Sequence, residues 1–349
     1  CMHRGTQLRG PGTCGFATQF KCPFHGWTWS LDGELVDLPD RWDFPHVGDE
    51  THRLPQLKVE TFAGFVWINF DPEAAPLHEY LGVLPAHFAE FDIDDRYIEA
   101  HLRKRLPANW KAAQEAFMEA YHNFETHDSP NGGNTQYDIF GKYVTRFIHN
   151  IGSDSPQRPV KRTEEQILAH LTRNLRRGME PLQLPEGMRA RDFYAKYVQE
   201  QMGKAYGRDF SHLSESMTLD SIEYFVFPNA FFFPGLQIPL CYRFRPDGPD
   251  PDRCIYEVLY LRPKPRSGPT PPPAEPFDLD VDDSYTTVPG LPTSLGQVLD
   301  QDTVNLAAQT RGFKSSKKRG QTLGNYQEVR ARHFQATVRR YVTEGASRP

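Results

Sequence analysis

Two short stretches at the start of the chain pair cysteine with histidine, a combination able to hold a metal centre. Cys1 and His3 form a Cys-x-His pair, and Cys22 and His25 form a Cys-x-x-His pair after residues 4–21. Two sulfurs and two imidazoles are a complete ligand set. A zinc finger groups Cys with Cys and His with His, whereas each pair here is mixed. Mixed pairs at the tips of two hairpin loops suit a [2Fe-2S] cluster in which two histidines replace two cysteines on one iron. A structural zinc site and four unrelated residues are the competing readings. Gly5, Pro23 and Gly26 would let backbone N–H groups approach cluster sulfurs. Cys14 lies between the pairs and matches no ligand, so it reads as a structural or free thiol.

A second constellation spans residues 109–127, with Glu115, Glu119, His122 and His127. On a helix predicted over 107–123, Glu115, Glu119 and His122 fall at i, i+4 and i+7, which is one stripe. Ala112, Ala113, Ala116, Phe117 and Met118 surround it, so the stripe is expected to face inward. Charged groups there are costly unless paired or bound to metal. His127 can meet the same ion only if the helix ends or distorts after His122. A third ligand is expected from a helix over 295–312, where Asp302 shares a face with Val298, Leu299, Leu306 and Gln309, while Asp300 lies round the cylinder. Two imidazoles and one carboxylate compose the facial triad of non-haem Fe(II) oxygenases, with positions left open for dioxygen and substrate. Interior polar residues without metal are the alternative.

The elements that must position these residues differ between the two ends of the chain. Residues 1 to about 70 are rich in Gly, Pro and aromatics in short alternating segments, with an Asp32-Gly33 hairpin turn and a strand over Phe65–Phe70 stopped by Asp71-Pro72. Beyond about residue 75, helical periodicity appears over 107–123, 163–178, 189–205, 295–312 and 323–343. Strand-like runs cover 217–227, 230–233, 240–245 and 254–262, and the proline-rich stretch Pro263 to Pro276 reads as an exposed loop. The expected fold class is α+β: a small all-β domain over 1–75, then an antiparallel sheet with helices over 76–349.

Composition narrows the function classes. Forty-five acidic residues against 40 basic ones leave a net charge of -5, without the basic stripe of a nucleic-acid-binding domain. The most apolar stretch, Tyr224 to Leu240, is broken by prolines, Gly235, Asn229 and Gln237, so it is not read as a membrane span. Five unevenly spread cysteines do not form a disulfide framework, which points to a reducing, cytoplasmic setting.

Cys1-Met2-His3-Arg4-Gly5 and Cys22-Pro23-Phe24-His25-Gly26-Trp27 resemble the two cluster loops of the Rieske-type, ring-hydroxylating non-haem iron oxygenases. Glu119-Ala120-Tyr121-His122-Asn123-Phe124-Glu125-Thr126-His127 is similar to the family's Asp-x-x-His-x-x-x-x-His motif, with Glu119 where Asp is common. Gln301-Asp302, followed by Asn305 and Gln309, resembles its carboxylate-ligand helix. The likeness runs from Cys1 to near Tyr341. It implies a large (alpha) subunit with a Rieske [2Fe-2S] domain and a helix-grip (START-like) catalytic domain. By resemblance, Cys1 and Cys22 bind one cluster iron and His3 and His25 the other, while His122, His127 and Asp302 hold a mononuclear Fe(II).

Further expectations follow from the same resemblance. Glu119 would link the cluster histidine of a neighbouring subunit to the His122 side of the iron site in a head-to-tail homotrimer. A separate reductase, sometimes with a ferredoxin, would bring electrons from NADH or NADPH, and a small beta subunit could accompany the chain. Phe225, Phe227, Phe231 and Phe233 would wall a pocket for an apolar, aromatic substrate, as in aromatic hydrocarbon catabolism. A monooxygenase that demethylates an ether or amine is the second reading; an electron carrier or ligand-binding protein without reactive iron is the third. The family's first domain begins before its first ligand loop, and Cys1-Met2-His3 is no natural start, so an N-terminally truncated fragment is expected.

Overall fold

Asp32-Gly33 makes its hairpin turn in the computed structural model of the chain, with Gly33 at φ 83° donating its N–H to the Ser30 carbonyl at 3.1 Å. Glycine tolerates that backbone without strain, and a Cβ there would also meet the Leu54 carbonyl at 3.0 Å. Strands β1 (Gln19–Lys21), β2 (Thr28–Ser30) and β3 (Leu35–Asp37) form an antiparallel sheet in that order. Trp27, Trp29, Leu35 and Leu38 fill its core, and the Trp29 indole N–H reaches the His52 carbonyl at 2.8 Å. Strands β4 (Lys58–Phe62) and β5 (Phe65–Asn69) pair separately, and β5 stops before Asp71-Pro72. The structure describes residues 1–127, 134–156, 161–173 and 181–345. The chain divides into Cys1–Phe62 with Val66–Ala75, and Ala63–Phe65 with Pro76–Pro349. Gly10 to Gly15 has Gly-x-Gly-x-x-Gly spacing, but it is an exposed loop with no helix behind it, so it lacks the helix N-terminus that would cradle a dinucleotide.

The larger unit is built on eight strands: β6 (Arg96–Leu106), β7 (Asn134–Phe140), β8 (Val144–Asn150), β9 (Ser221–Val226), β10 (Ala230–Phe232), β11 (Leu240–Pro246), β12 (Cys254–Pro263) and β13 (Pro276–Leu279). They lie in the order β13-β6-β12-β11-β10-β9-β8-β7. Neighbours are antiparallel except β13, which runs parallel to β6. The expected antiparallel sheet is therefore mixed at one edge. Arg103 of β6 binds Asp278 of β13 through two hydrogen bonds of 2.7 and 2.8 Å, which fixes that edge pairing.

Helices α1 (Leu77–Leu81), α2 (Leu84–Phe88), α3 (Trp110–Glu115), α4 (Glu164–Thr172), α5 (Ala190–Tyr206), α6 (Glu215–Leu219), α7 (Thr293–Val304), α8 (Leu306–Ser315) and α9 (Val329–Gly345) complete the unit. Several differ from their expected extents. The helix expected over 107–123 is only α3, followed by turns and a 3₁₀ turn at Tyr121–Phe124. The helix expected over 295–312 breaks at Asn305 into α7 and α8, and 323–328 precede α9 without helix. The first residues of the 217–227 run end α6 before β9 begins. A capping box, Thr163 with Gln166, starts α4; residues 174–178 of the helix expected there lie outside the described residues. No helix among the described residues is long and apolar enough to cross a membrane.

Helix α9 lies against the sheet, with Phe334 fully buried and edge-on to Phe225 at 5.8 Å. One turn earlier, Arg330 carries a charge into the interior, where it is 0% exposed. Its Nη1 sits 2.7 Å from Glu223 of β9 and donates to the Met118 carbonyl at 3.1 Å, and its Nε donates to Thr145 Oγ1 of β8 at 2.9 Å. One side chain thus ties α9, two strands and the segment after α3 together. Removing one partner of such a pair leaves the other charge buried alone. Arg330→Met should therefore cost about 3–5 kcal/mol of unfolding free energy, and adding Glu223→Gln should recover part of it. Chemical denaturation of the single and double variants checks this, and an Arg330→Met protein as stable as the parent would contradict it.

Candidate metal centres

The two Cys/His pairs sit in turns of the same construction. In each, a glycine four residues after the cysteine returns its N–H to the cysteine carbonyl: Gly5 to Cys1 at 3.0 Å and Gly26 to Cys22 at 3.1 Å. Both glycines adopt φ near 80°, at 78° and 79°, which lets each loop fold back tightly enough to turn its Cys and His to one side. The rings of His3 and His25 approach to 4.8 Å between centroids. Trp27 stacks flat on His3 at 4.8 Å and 4°, and Phe24 covers His25 at 3.9 Å. Cys22 is buried in the small core, and Cys1 packs against the same core.

The electrostatics at these turns favour the ligand forms of the side chains. Burial would raise the Cys22 thiol, but the N–H groups of Phe24 and His25 and the Thr6 side chain outweigh it and lower its pKa. Burial, with His25 and Arg4 nearby, lowers His3 and keeps it neutral. A thiolate and a neutral imidazole are what a metal centre takes, so the residues present fit a [2Fe-2S] cluster. Cys14 is an exposed free thiol.

In the larger unit the structure brings His122, His127 and Asp302 together, with one ligand atom from each within 4.8 Å of the others. The short α3 is what makes this possible, because its end at Glu115 frees the chain to turn twice before His127. Glu115, Glu119 and His122 consequently do not form the expected stripe. The Glu115 carboxylate turns to Gln321 and Gln335 instead. Asp300 accepts from the Ser284 hydroxyl at 2.6 Å and the Tyr285 N–H at 3.1 Å, away from the histidines.

Each imidazole is held by its far nitrogen. His122 Nδ1 donates to Glu119 Oε1 at 2.8 Å while its backbone N–H donates to Oε2 at 2.9 Å. His127 Nδ1 donates to the Gln301 side-chain carbonyl at 2.9 Å. Both acceptors fix a proton on Nδ1 and leave Nε2 as the nitrogen that faces Asp302. Asp302 Oδ1 lies 3.3 Å from His122 Nε2 and 2.8 Å from His127 Nε2, yet this buried oxygen has no hydrogen bond of proper geometry. A dication at this point would satisfy it.

The charge states agree. Burial alone would depress both rings, but Asp302 and Glu119 raise His122 to about 10, and Asp302 and Gln301 raise His127. Burial would raise Asp302, and the two rings overcome it and hold the carboxyl below its ordinary value. A dication would supply this positive charge directly at the Nε2 atoms and release protons as it bound. The donor set fits a non-haem Fe(II).

A cavity of about 280 Å³ adjoins the three residues. Of the four phenylalanines expected to wall it, Phe233 does so. Phe225 and Phe231 are a cross-strand pair inside the sheet core, and Phe227 packs on Phe334 and Tyr341. The aromatic rings that line the cavity instead include Phe117, Phe147, Tyr242 and Tyr256. Sequence reasoning missed these, since in sequence they read as ordinary strand core. It also missed the grip of Gln301 on His127, which has no signal beyond a glutamine beside a candidate ligand.

Purified protein carrying both Cys/His pairs should show the absorption and EPR of a His-ligated [2Fe-2S] cluster. Stoichiometric zinc without acid-labile sulfide would contradict that assignment. Asp302→Ala should lose the mononuclear metal and leave the cluster spectrum intact, as metal analysis beside visible spectroscopy would report. Gln301→Leu should weaken Fe(II) binding by roughly 10–100-fold; unchanged affinity would mean that Gln301 does not set the orientation of His127.

Comparison with known proteins accounts for both units. Residues 1–53 match the Rieske [2Fe-2S] domain, and residues 86–344 match the catalytic domain of the ring-hydroxylating alpha subunit. The carnitine monooxygenase oxygenase subunit of Escherichia coli (strain K12) is 34% identical over 125 residues, 35% of this chain and 33% of that protein. The large oxygenase component of salicylate 5-hydroxylase from Ralstonia sp is 33% identical over 135 residues, 35% of this chain and 32% of that protein. The aligned part is thus about a third of these relatives' length. The solved structure of a quaternary ammonium Rieske monooxygenase superposes with a TM-score of 0.60 at 18% identity, covering 98% of this chain and 77% of that one, a likeness of fold. With its catalytic-domain match spanning most of its length, the chain belongs to the ring-hydroxylating alpha-subunit family, whose members join a Rieske [2Fe-2S] domain to a catalytic domain that binds mononuclear non-haem iron.

Proposed function

We propose that this chain is the oxygen-activating large subunit of a terminal oxygenase acting on a small organic molecule. Electrons from NADH or NADPH would arrive through a separate reductase, with or without a ferredoxin. Cys1, His3, Cys22 and His25 would hold the cluster that relays them, and His122, His127 and Asp302 the iron that supplies dioxygen chemistry. The observation that carries this reading is the buried Asp302 oxygen set between two Nε2 atoms, at the edge of a cavity large enough for a small substrate. A carrier or ligand-binding protein without reactive iron has no use for that arrangement.

The protein's own groups have definable tasks in this scheme. Glu119 and Gln301 hold ring protons on Nδ1, so both histidines turn Nε2 to one point, where a metal would displace any proton. Leu295, Val298 and Leu299 of α7 line the cavity beside Asp302 and keep water from the reacting carbon. Phe147, Tyr242 and Tyr256 offer flat apolar walls, which suits hydroxylation of an aromatic ring, as the name of the salicylate relative also suggests. Removal of a methyl group from nitrogen or oxygen is the second reading, supported by the likeness to a carnitine monooxygenase. A homotrimer, with or without a small beta subunit, belongs to the same proposal. So does a reducing, cytoplasmic setting, which the five free cysteines suit.

The test pairs the holoenzyme with a reductase and NADH and screens aromatic and N-methylated substrates for oxygen uptake coupled to product. Glu119→Gln should keep both metal centres while slowing single-turnover electron transfer to the mononuclear iron at least about ten-fold, since it alters the group that orients His122. Full single-turnover and steady-state rates would reduce Glu119 to a structural residue.

A further inference from the structure

The cavity beside His122, His127 and Asp302 is not apolar throughout. From the end of β8 onward its lining includes Asn150, Ser153, Arg162, His170 and Arg173. Among the described residues, each carboxylate that lines the cavity has a partner: Asp302 the two imidazoles, Glu119 His122 and Glu223 Arg330. Of the two arginines, the Arg162 side chain pairs with Asp154 through Nε alone. Arg162 donates Nε to Asp154 Oδ1 at 2.6 Å and its backbone N–H to Oδ2 at 2.7 Å, and among the described residues neither Nη has an acceptor. Its side chain is only 16% exposed. Arg173 makes no ion pair among the described residues and stands at an exposed position on the cavity lining.

Asp154 occupies only the Nε of the Arg162 guanidinium, so both Nη groups can still donate to a ligand, and the planar fork matches a carboxylate edge. The neighbouring imidazoles supply no countercharge. Burial, then the positive field of Arg173 and Arg162, depresses His170 to about 4, and burial depresses His149 likewise to about 4. Both are neutral at physiological pH and add hydrogen-bonding capacity only. The volume, about 280 Å³, is at the small end of ligand pockets, which run from ~300 to ~1,000 Å³. Near the metal residues Phe117, Phe147, Tyr242, Tyr256 and Val298 give the lining broad apolar walls among a few polar groups, so a ligand that fills the space has one anionic end and one largely apolar body.

Resting on the oxygenase reading above, we propose that the substrate is a small organic acid whose carboxylate is received by Arg162, with Arg173 at the rim. Its apolar body then lies against Phe147 and Tyr242, and the carbon to be oxidised is presented to the end formed by His122, His127 and Asp302. Arg162 is on this account the residue that sets both substrate class and substrate direction.

Binding to the oxidised holoenzyme, which needs no turnover, tests the proposal. Calorimetric titration compares benzoate with benzamide, trimethylglycine with choline, and inorganic phosphate. At least one acid should bind about ten-fold or more tightly than its neutral or cationic partner. Arg162→Gln should abolish that preference while iron content and cluster spectrum stay at parental values, and Arg173→Gln should reduce it less. The proposal is overturned if no acid is preferred, or if Arg162→Gln keeps the preference. It is equally overturned if phosphate binds as tightly as the acids in an Arg162-dependent way, the mark of a general anion site. Acid binding that depends on Arg162 in a protein unable to oxidise any acid or to hold mononuclear iron would refute the oxygenase reading and leave the anion site standing.

Discussion

A carboxylate removed from water must be neutralised, and the Asp302 side chain is only 11% exposed. Its partners come from far away in sequence: His122 and His127 before the sheet is half built, Asp302 near the end of the chain. The local irregularities of the larger unit are consequences of that meeting. Helix α3 stops after Glu115 so that the following turns can aim two imidazoles at one point. Gln301, the residue before Asp302, fixes one of those imidazoles, so a single turn of α7 supplies both the anion and the brace. Had α3 run on through residue 127, His122 and His127, five residues apart, would have pointed in different directions.

The sheet provides the fixed frame, and the Arg330–Glu223 pair locks α9 onto it. Arg330 holds the Met118 carbonyl, one residue before Glu119, and the strands that carry Glu223 and Thr145. The segment bearing Glu119 and His122 is therefore anchored to α9 by a buried charge rather than by loop packing alone. The smaller unit solves a similar problem by other means. Its two Cys/His turns are short enough for glycines to close them, and the stacked ring of Trp27 and the tilted ring of Phe24 hold the two imidazoles. In both places, side chains with a hydrogen-bonding or packing role set the orientation of residues able to bind metal.

The parts of this arrangement visible in the sequence were those with unusual spacing. Mixed Cys/His pairs with a glycine behind each, two histidines in one segment, and an aspartate on an apolar helical face all stand out against ordinary composition. The strands β6, β7 and β8 did not. β6 carries Glu99, His101, Arg103, Lys104 and Arg105 and reads as polar, because its charges are neutralised across the sheet: His101 on Glu257, Arg103 on Asp278, Arg105 on Asp280. Lys104 is buried yet lies over the Tyr285 ring and donates to the Asp283 carbonyl. Cross-strand pairing of that kind has no local pattern. The same limit explains the phenylalanines. Phe225, Phe227, Phe231 and Phe233 look alike along the chain, and only their partners in neighbouring strands decide which one reaches the cavity.

The central claim is that His122, His127 and Asp302 share one iron. The most direct measurement is an anomalous difference map at the iron absorption edge from crystals of the reconstituted protein. The account predicts one peak bounded by the Nε2 atoms of the two histidines and a carboxylate oxygen of Asp302, with Glu119 and Gln301 still on the opposite ring nitrogens, and a separate peak between the two Cys/His turns. Iron bound by Glu115 or Asp300 in place of Asp302, or three side chains bonded to one another with no metal between them after reconstitution, would contradict it.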